Sequence, residues 1–362
     1  KFSSNKAVSE IISIDIQIGR TGALTPVAKI KPINIGGVQV SNATLHNEDE
    51  IMRKDVRVGD TVVVERAGDV IPHILAVDIN KRPKKSIKFV FPKNCPSCGS
   101  KTTKEYNETT KKNDAVRRCT SEGYECEKIS IEKLKHFVSK EAFNIDGLGK
   151  KIIENFWKLN FIKFPYDIFK LDYKSIEKLD GWGRLSVENL KYSINEKKKI
   201  SFDRFIYALG IRHIGLENAK LLSKYFKKFS NFKSLSKNNN FDDLKNIDGI
   251  GETQINSIKS FFSNKMNLKV LDKLEKILII DNVVIKKKDG LLSNKTFLVT
   301  GKLNGVSRAE IKSLIEENSG TSVSSLSKKL NYLIVGEKPT KRKVLMAKEL
   351  KIKIISQDQF LK

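Results

Sequence analysis

A tight glycine-rich bend recurs four times in the middle of this chain, and no other feature constrains the fold as strongly. The copies are Ile145-Asp-Gly-Leu-Gly149, Leu179-Asp-Gly-Trp-Gly183, Arg212-His-Ile-Gly215 and Ile247-Asp-Gly-Ile-Gly251. Their last glycines lie 34, 32 and 36 residues apart, the spacing of one repeated supersecondary unit. Each copy is followed by a run that reads as a helix: Lys150–Trp157, Arg184–Tyr192, Leu216–Tyr225 and Glu252–Phe261. Glycine takes positive φ at no steric cost, and the apolar residue between the glycines plugs the junction. Such a bend leaves N–H groups unpaired at the start of the next helix, at the positive end of its dipole. A phosphate can sit there.

Any one copy fits an ordinary helical hairpin with a glycine cap. Four copies at near-constant spacing in a basic chain favour the helix-hairpin-helix motif, which grips DNA backbone without reading sequence. Gly147, Gly149, Gly181, Gly183, Gly215, Gly249 and Gly251 are therefore candidate DNA contacts. The third copy departs, with His213 where the first glycine belongs.

Charge points the same way. The 362 residues hold 68 Lys and Arg against 42 Asp and Glu, a formal charge of +26. That surplus calls for a polyanionic partner, nucleic acid first. The length suits two to four domains. No apolar run is long enough to span a membrane, and no secretory signal opens the sequence, so a cytoplasmic location is expected. The first residue is Lys1, not Met, which suggests a fragment or a piece cut from a longer polypeptide.

All four cysteines sit close together: Cys95-Pro-Ser-Cys98, then Cys119 and Cys126. A Cys-x2-Cys knuckle followed by a second pair is the signature of a structural zinc site. Two disulfides or four unrelated thiols are the alternatives, and disulfides fit poorly without a secretory signal. Lys93, Lys101, Arg117 and Arg118 favour thiolate over thiol. The second pair is wider than usual, so its loop must bulge. Four protein thiolates leave no open position for catalysis.

The chain reads as several modules. Residues 1–78 suit a small OB-type barrel: Ile12, Ile14, Ile16 and Ile18 alternate as a half-buried strand, and Val58–Val64 turns into another. Ala67-Gly-Asp-Val70 reads as a turn, and Asn47-Glu-Asp-Glu50 as a helix cap with its partner three residues on. A basic linker over 79–93 leads to the zinc module at 94–127, then an all-helical array of four hairpins over 128–280. A second linker covers 281–293. Residues 294–362 read strand–helix–strand–strand–helix–strand, a small mostly parallel α/β domain with Ile311, Leu314 and Ile315 on one helix face.

In this order the modules resemble the C-terminal two-thirds of bacterial NAD⁺-dependent DNA ligase. The strings that carry the resemblance are Gly19–Ala28 (GRTGALTPVA), Val40–Asn47 (VSNATLHN), Arg66–Pro72 (RAGDVIP), Cys95–Gly99 (CPSCG) and Leu134–Ser139 (LKHFVS). The segment from Lys295 to Gly336 is similar to the BRCT domain of those ligases, with Ser319-Gly320 where a glycine pair is usual and no tryptophan in its last helix.

The resemblance implies a reaction in three steps. A lysine of a Lys-x-Asp-Gly motif takes AMP from NAD⁺, the AMP passes to the 5′-phosphate at a nick, and the 3′-hydroxyl expels it with Mg²⁺ assisting. The Lys-x-Asp-Gly spacing occurs here only inside the second bend, Lys178-Leu-Asp-Gly181, and in the linker, Lys287-Lys-Asp-Gly290, so the nucleotidyltransferase domain is expected upstream and no catalytic residue within the segment. Lys1 would fall on the last lysine motif of that domain and adjoin the AMP phosphate. Arg20 is the leading side chain for phosphate contact, with Arg66 and His46 behind it, because a guanidinium grips phosphate bidentately. Nicked or duplex DNA is the implied partner, zinc the implied structural metal, and a monomer the implied state. A free-standing DNA-binding scaffold remains open as an alternative. So does a repair-nuclease DNA-binding half, which no acidic metal cluster supports.

Overall fold

The computed structural model describes residues 5–66, 71–107, 111–238, 241–283, 290–323, 325–327 and 329–361. Lys1 and the Ala67–Val70 turn lie outside the described residues, as does most of the linker before Gly290. The chain falls into two compact units. One gathers residues up to 136 with 150–171 and 264–270; the other holds 137–149, 172–263 and the chain from 271 onward.

In the first unit, β1 (Asn5–Ile18), β2 (Leu24–Ile35), β3 (Val38–Thr44), β4 (Thr61–Arg66) and β5 (His73–Val77) close a barrel in the order β1-β2-β3-β5-β4. Its interior is filled by Leu24, Ala28, Ile30, Val62, Val64 and Ile74. The β1 alternation holds only from Ile14 onward. A register shift between Ile11 and Ser13 puts Ile11 inside and leaves Ile12 54% exposed. A bulge of this kind exchanges the faces of every residue before it.

Helix α1 (Glu48–Lys54) starts at Asn47, whose Oδ1 accepts from the Glu50 N–H at 2.9 Å. The Glu50 carboxylate turns to Arg53 and Lys54, whose hydrogen bonds pull its pKa to about 2. The expected linker is fastened down. Arg82 pairs with the fully buried Asp60 at 2.8 Å, Arg57 donates to the Ser86 carbonyl, and Phe91 enters the barrel core. Strands β6 (Thr102–Asn107) and β7 (Lys112–Cys119) then form an antiparallel hairpin.

The helical stretch runs α2 (Glu127–Phe137), α3 (Lys150–Lys158), α4 (Tyr173–Glu177), α5 (Arg184–Glu196), β8 (Lys199–Ser201), α6 (Phe202–Ala208), α7 (Leu216–Phe226), α8 (Phe229–Lys233), α9 (Leu235–Asn238), α10 (Glu252–Ser263), α11 (Lys265–Glu275) and β9 (Ile279–Asp281). Helices α3, α5, α7 and α10 are the four that the bends foretell. The parallel β8–β9 pair, too short to carry a period, is not foretold.

The terminal domain comprises β10 (Thr296–Thr300), α12 (Arg308–Glu317), β11 (Thr321–Ser322), β12 (Tyr332–Val335), α13 (Lys341–Glu349), β13 (Lys353–Ser356) and α14 (Gln357–Leu361). Its sheet is wholly parallel, in the order β11-β10-β12-β13. Neighbouring residues of β10 serve opposite faces: Phe297 packs with Ile311 and Ile315 of α12, and Leu298 with Ala347 of α13. Leu314, expected beside Ile311, lies at the edge of that face and is 36% exposed.

Candidate nucleic-acid interface and metal centre

The hairpins turn their plugs inward and their glycines outward. Leu148, Ile214 and Ile250 are buried, whereas Gly147, Gly149, Gly181, Gly183, Gly215, Gly249 and Gly251 are all exposed. Trp182, the largest of the plugs, is only half-buried. The first glycine of three bends needs positive φ: +88° at Gly147, +77° at Gly181 and +87° at Gly249. His213 takes the same region at +60°, steadied by Ser257 Oγ 3.0 Å from its Nδ1 and by Asn218 Nδ2, which donates to its carbonyl. The unusual residue thus preserves the bend.

Gly149, Gly183 and Gly215 are different. Their φ angles lie outside the left-handed region, and a Cβ built on any of them meets nothing within 4 Å. Gly183 and Gly215 head α5 and α7 with no side chain capping the helix. The fold does not need glycine at these positions, but close approach of another backbone would. In the fourth bend the Gly251 N–H is engaged by Gln254 Oε1 at 3.2 Å.

The hairpins also associate in pairs. A Cβ on Gly147 would press on Leu190 of α5, and one on Gly249 would lie 2.9 Å from Leu221 of α7. His213 in turn faces Ser257 of α10. The first bend therefore packs on the second helix, and the third and fourth pack on each other.

The four cysteines converge. Their sulfurs lie within 4.8 Å of one another, with Cys98–Cys119 at 3.5 Å and Cys95–Cys126 at 3.9 Å, and none forms a disulfide. Zinc–sulfur bonds of about 2.3 Å in a tetrahedron place sulfurs roughly 3.8 Å apart, so this cluster is compatible with zinc. The knuckle is shaped by Cys95 N–H donating to the Ser100 carbonyl at 2.7 Å and Gly99 N–H to the Cys95 carbonyl at 2.9 Å. Burial opposes ionisation of Cys98, yet hydrogen bonds from the Ser100 hydroxyl and N–H bring its pKa to about 6. Burial pushes the Cys119 and Cys126 thiols up.

This cluster is joined to the barrel twice. The Cys119 N–H donates to the Gly22 carbonyl at 2.9 Å, and Arg118 reaches Thr21 Oγ1 at 3.1 Å. On the other side Arg117 meets Glu48 at 3.1 Å and Lys104 meets Asp49, both acids in the first turn of α1. Arg20 sits in the Gly19–Ala23 turn that β7 holds. Arg66 ends β4. His46, at φ +61°, lies with its ring 5.6 Å from His73. Burial and the charges of His73 and Lys54 lower the His46 pKa against the pull of Glu50, and Asn47 rather than His46 caps α1.

Lys133 is a residue that sequence reading missed. Its Nζ donates to the Gly123 carbonyl at 2.6 Å and stands over the Tyr124 ring. Burial, with Arg20 as a second influence, lowers its pKa to about 8. Only its place on the inner side of α2 could have signalled this.

Exposed glycine bends in pairs, a closed barrel and a four-thiol knuckle define a modular chain. Comparison with known proteins narrows the class. The NAD-dependent DNA ligase OB-fold domain matches residues 8–86, the helix-hairpin-helix motif 204–271 and the BRCA1 C Terminus (BRCT) domain 287–362. A DNA ligase of Pelagibacter ubique is 68% identical over the whole chain, which covers 54% of that protein. DNA ligases of Wolbachia pipientis wMel and Parvibaculum lavamentivorans are 46% and 43% identical over the whole chain, covering 54% and 52% of their lengths. These matches fit the C-terminal portion of an NAD-dependent DNA ligase, the portion that carries the OB-fold, helix-hairpin-helix and BRCT domains. The chain spans about half the length of these relatives. Among the described residues no helix is long and apolar enough to cross a membrane.

Proposed function

We propose that this chain is the DNA-holding part of an enzyme that joins 5′-phosphate and 3′-hydroxyl ends at nicks in duplex DNA, in replication and repair. The observation that carries this reading is the set of outward-facing bends whose second glycines the fold itself does not require. Backbone N–H groups and surrounding lysines grip phosphates without reading bases, as sealing at any sequence demands. Arg20 and Arg66 add side-chain contacts from the barrel. The remaining half of the enzyme supplies the Lys-x-Asp-Gly nucleophile and takes up NAD⁺ and Mg²⁺, and Lys1 adjoins its nucleotide phosphate. Cys95, Cys98, Cys119 and Cys126 hold a structural zinc that fixes the Gly19–Ala23 turn. The protein acts in the cytoplasm, on the nucleoid, as a monomer.

Binding of a labelled nicked duplex across a salt series tests this. A steep fall of log affinity with log salt is expected, together with no sealing until an upstream nucleotidyltransferase domain is joined to the chain. A reunited protein that binds DNA well and still seals nothing contradicts the reading.

A further inference from the structure

The helices on either side of the third bend, α6 and α7, meet the terminal domain. Arg204, only 4% exposed, donates from Nε to the Ala142 carbonyl at 2.9 Å and from Nη2 to the Lys140 carbonyl at 3.1 Å. Its Nη1 donates to Ser307 Oγ at 3.1 Å and lies 3.0 Å from Glu310 Oε1. Ser307 is the fully buried N-cap of α12 in the terminal domain. Lys197 reaches the same Glu310 at 3.1 Å, Lys220 lies 3.6 Å from Glu316, and Lys312 lies 3.5 Å from Glu217. Burial is the largest influence on Glu310 and opposes its charge, yet Arg204, the Ser307 N–H and Lys197 together hold its carboxyl below the usual range.

One helix of the terminal domain therefore meets three bases and one acid of the array. Glu217 and Lys220 lie in the first turns of α7, directly after Gly215 of the third bend. With Leu216, Arg308 and Lys312 they line a cleft of about 160 Å³. The carboxylates of Glu310 and Glu316 thus stand against Lys197, Arg204 and Lys220.

We propose that α12 and the third hairpin form an intramolecular dock, and that DNA and the terminal domain compete for it. The inference rests on the array being a DNA-binding surface. The helices flanking the third bend, α6 and α7, are held by the charges of α12 until DNA displaces them. The contact is ionic, so it is loosened by salt and by the polyanion.

Hydrogen exchange on the whole chain with and without duplex DNA tests the dock. A second protein, K312E/E316K, keeps the net charge and sets like charges against Glu217 and Lys220 while leaving the Ser307–Glu310 cap intact. DNA should raise exchange in residues 308–317 while protecting the bends at Gly149 and Gly183. The swapped protein should show raised exchange there without DNA and bind duplex about five-fold tighter, the worth of two modest ion pairs. Adding E217K/K220E should restore slow exchange. Unchanged exchange in α12 with the other bends protected overturns the dock alone, as does a swapped protein that binds no tighter. Loss of protection at every bend instead overturns the DNA-binding reading beneath it.

Discussion

The backbone N–H of Cys119 donates to the carbonyl of Gly22 at 2.9 Å, so a residue of the four-thiol cluster and the turn carrying Arg20 share one hydrogen bond. Gly22 has φ +77°, and a Cβ there would lie 3.0 Å from the Cys119 carbonyl oxygen. Gly22→Ala should therefore destabilise the barrel and knuckle by about 1–3 kcal/mol, the usual cost of a forced left-handed residue with a close contact. Thermal melting checks the stability. A DNA titration should show weaker binding as Arg20 shifts.

Metal removal should act through the same bond. The purified chain should carry one zinc per molecule, and Cys126→Ser should abolish it. Chelation should speed hydrogen exchange in residues 19–23 and 95–126 and leave α5 and α7 unchanged. Metal analysis with exchange mass spectrometry reads both. Equal loosening of α5 and α7 would contradict the local role assigned to the knuckle.

Lys133 gives a pH signature. Its folded pKa of about 8 lies below the ordinary 10.5. Between these values the unfolded chain holds a proton that the folded chain has shed, so stability rises with pH across that window. Below it the buried charge is a constant penalty. Lys133→Met should flatten the rise between pH 8 and 10.5. It should also stabilise the protein at neutral pH by roughly 1 kcal/mol after loss of the Gly123 hydrogen bond. Denaturant melts at several pH values measure this.

Arg204 is nearly the opposite case, a buried cation fully answered by carbonyls, a hydroxyl and a carboxylate. Arg204→Ala should cost roughly 3–5 kcal/mol, because it strands Glu310 and the Lys140 and Ala142 carbonyls. A calorimetric melt should show the loss. Arg204→Lys should recover only part of it, since an ammonium cannot span three directions with a planar fork.

The features legible in the sequence were those written in local spacing. Helices α3, α5, α7 and α10 follow their bends because glycine and the inward plug fix the entry to each helix. The four thiols converge because their spacing permits little else. The terminal parallel sheet shows in its short apolar runs. What escaped reading depends on partners remote in the chain: Asp60 with Arg82, Arg204 with Ser307, Lys133 beneath Gly123. The bulge at Ile11 escaped because four alternating isoleucines hide which residue is doubled. His213 departs from the glycine of the other bends, but Ser257 and Asn218 hold it in the glycine conformation.

Gly149 and Gly183 allow stability and phosphate approach to be separated. Neither has positive φ, and a Cβ on either meets nothing within 4 Å. The decisive experiment is duplex affinity and melting temperature of the G149A/G183A protein beside the unaltered chain. Affinity should fall by about ten-fold or more, the order expected when charge-assisted hydrogen bonds are lost, with the melting temperature nearly unchanged. Unaltered affinity in a fully folded double variant would show that DNA does not lie against these bends.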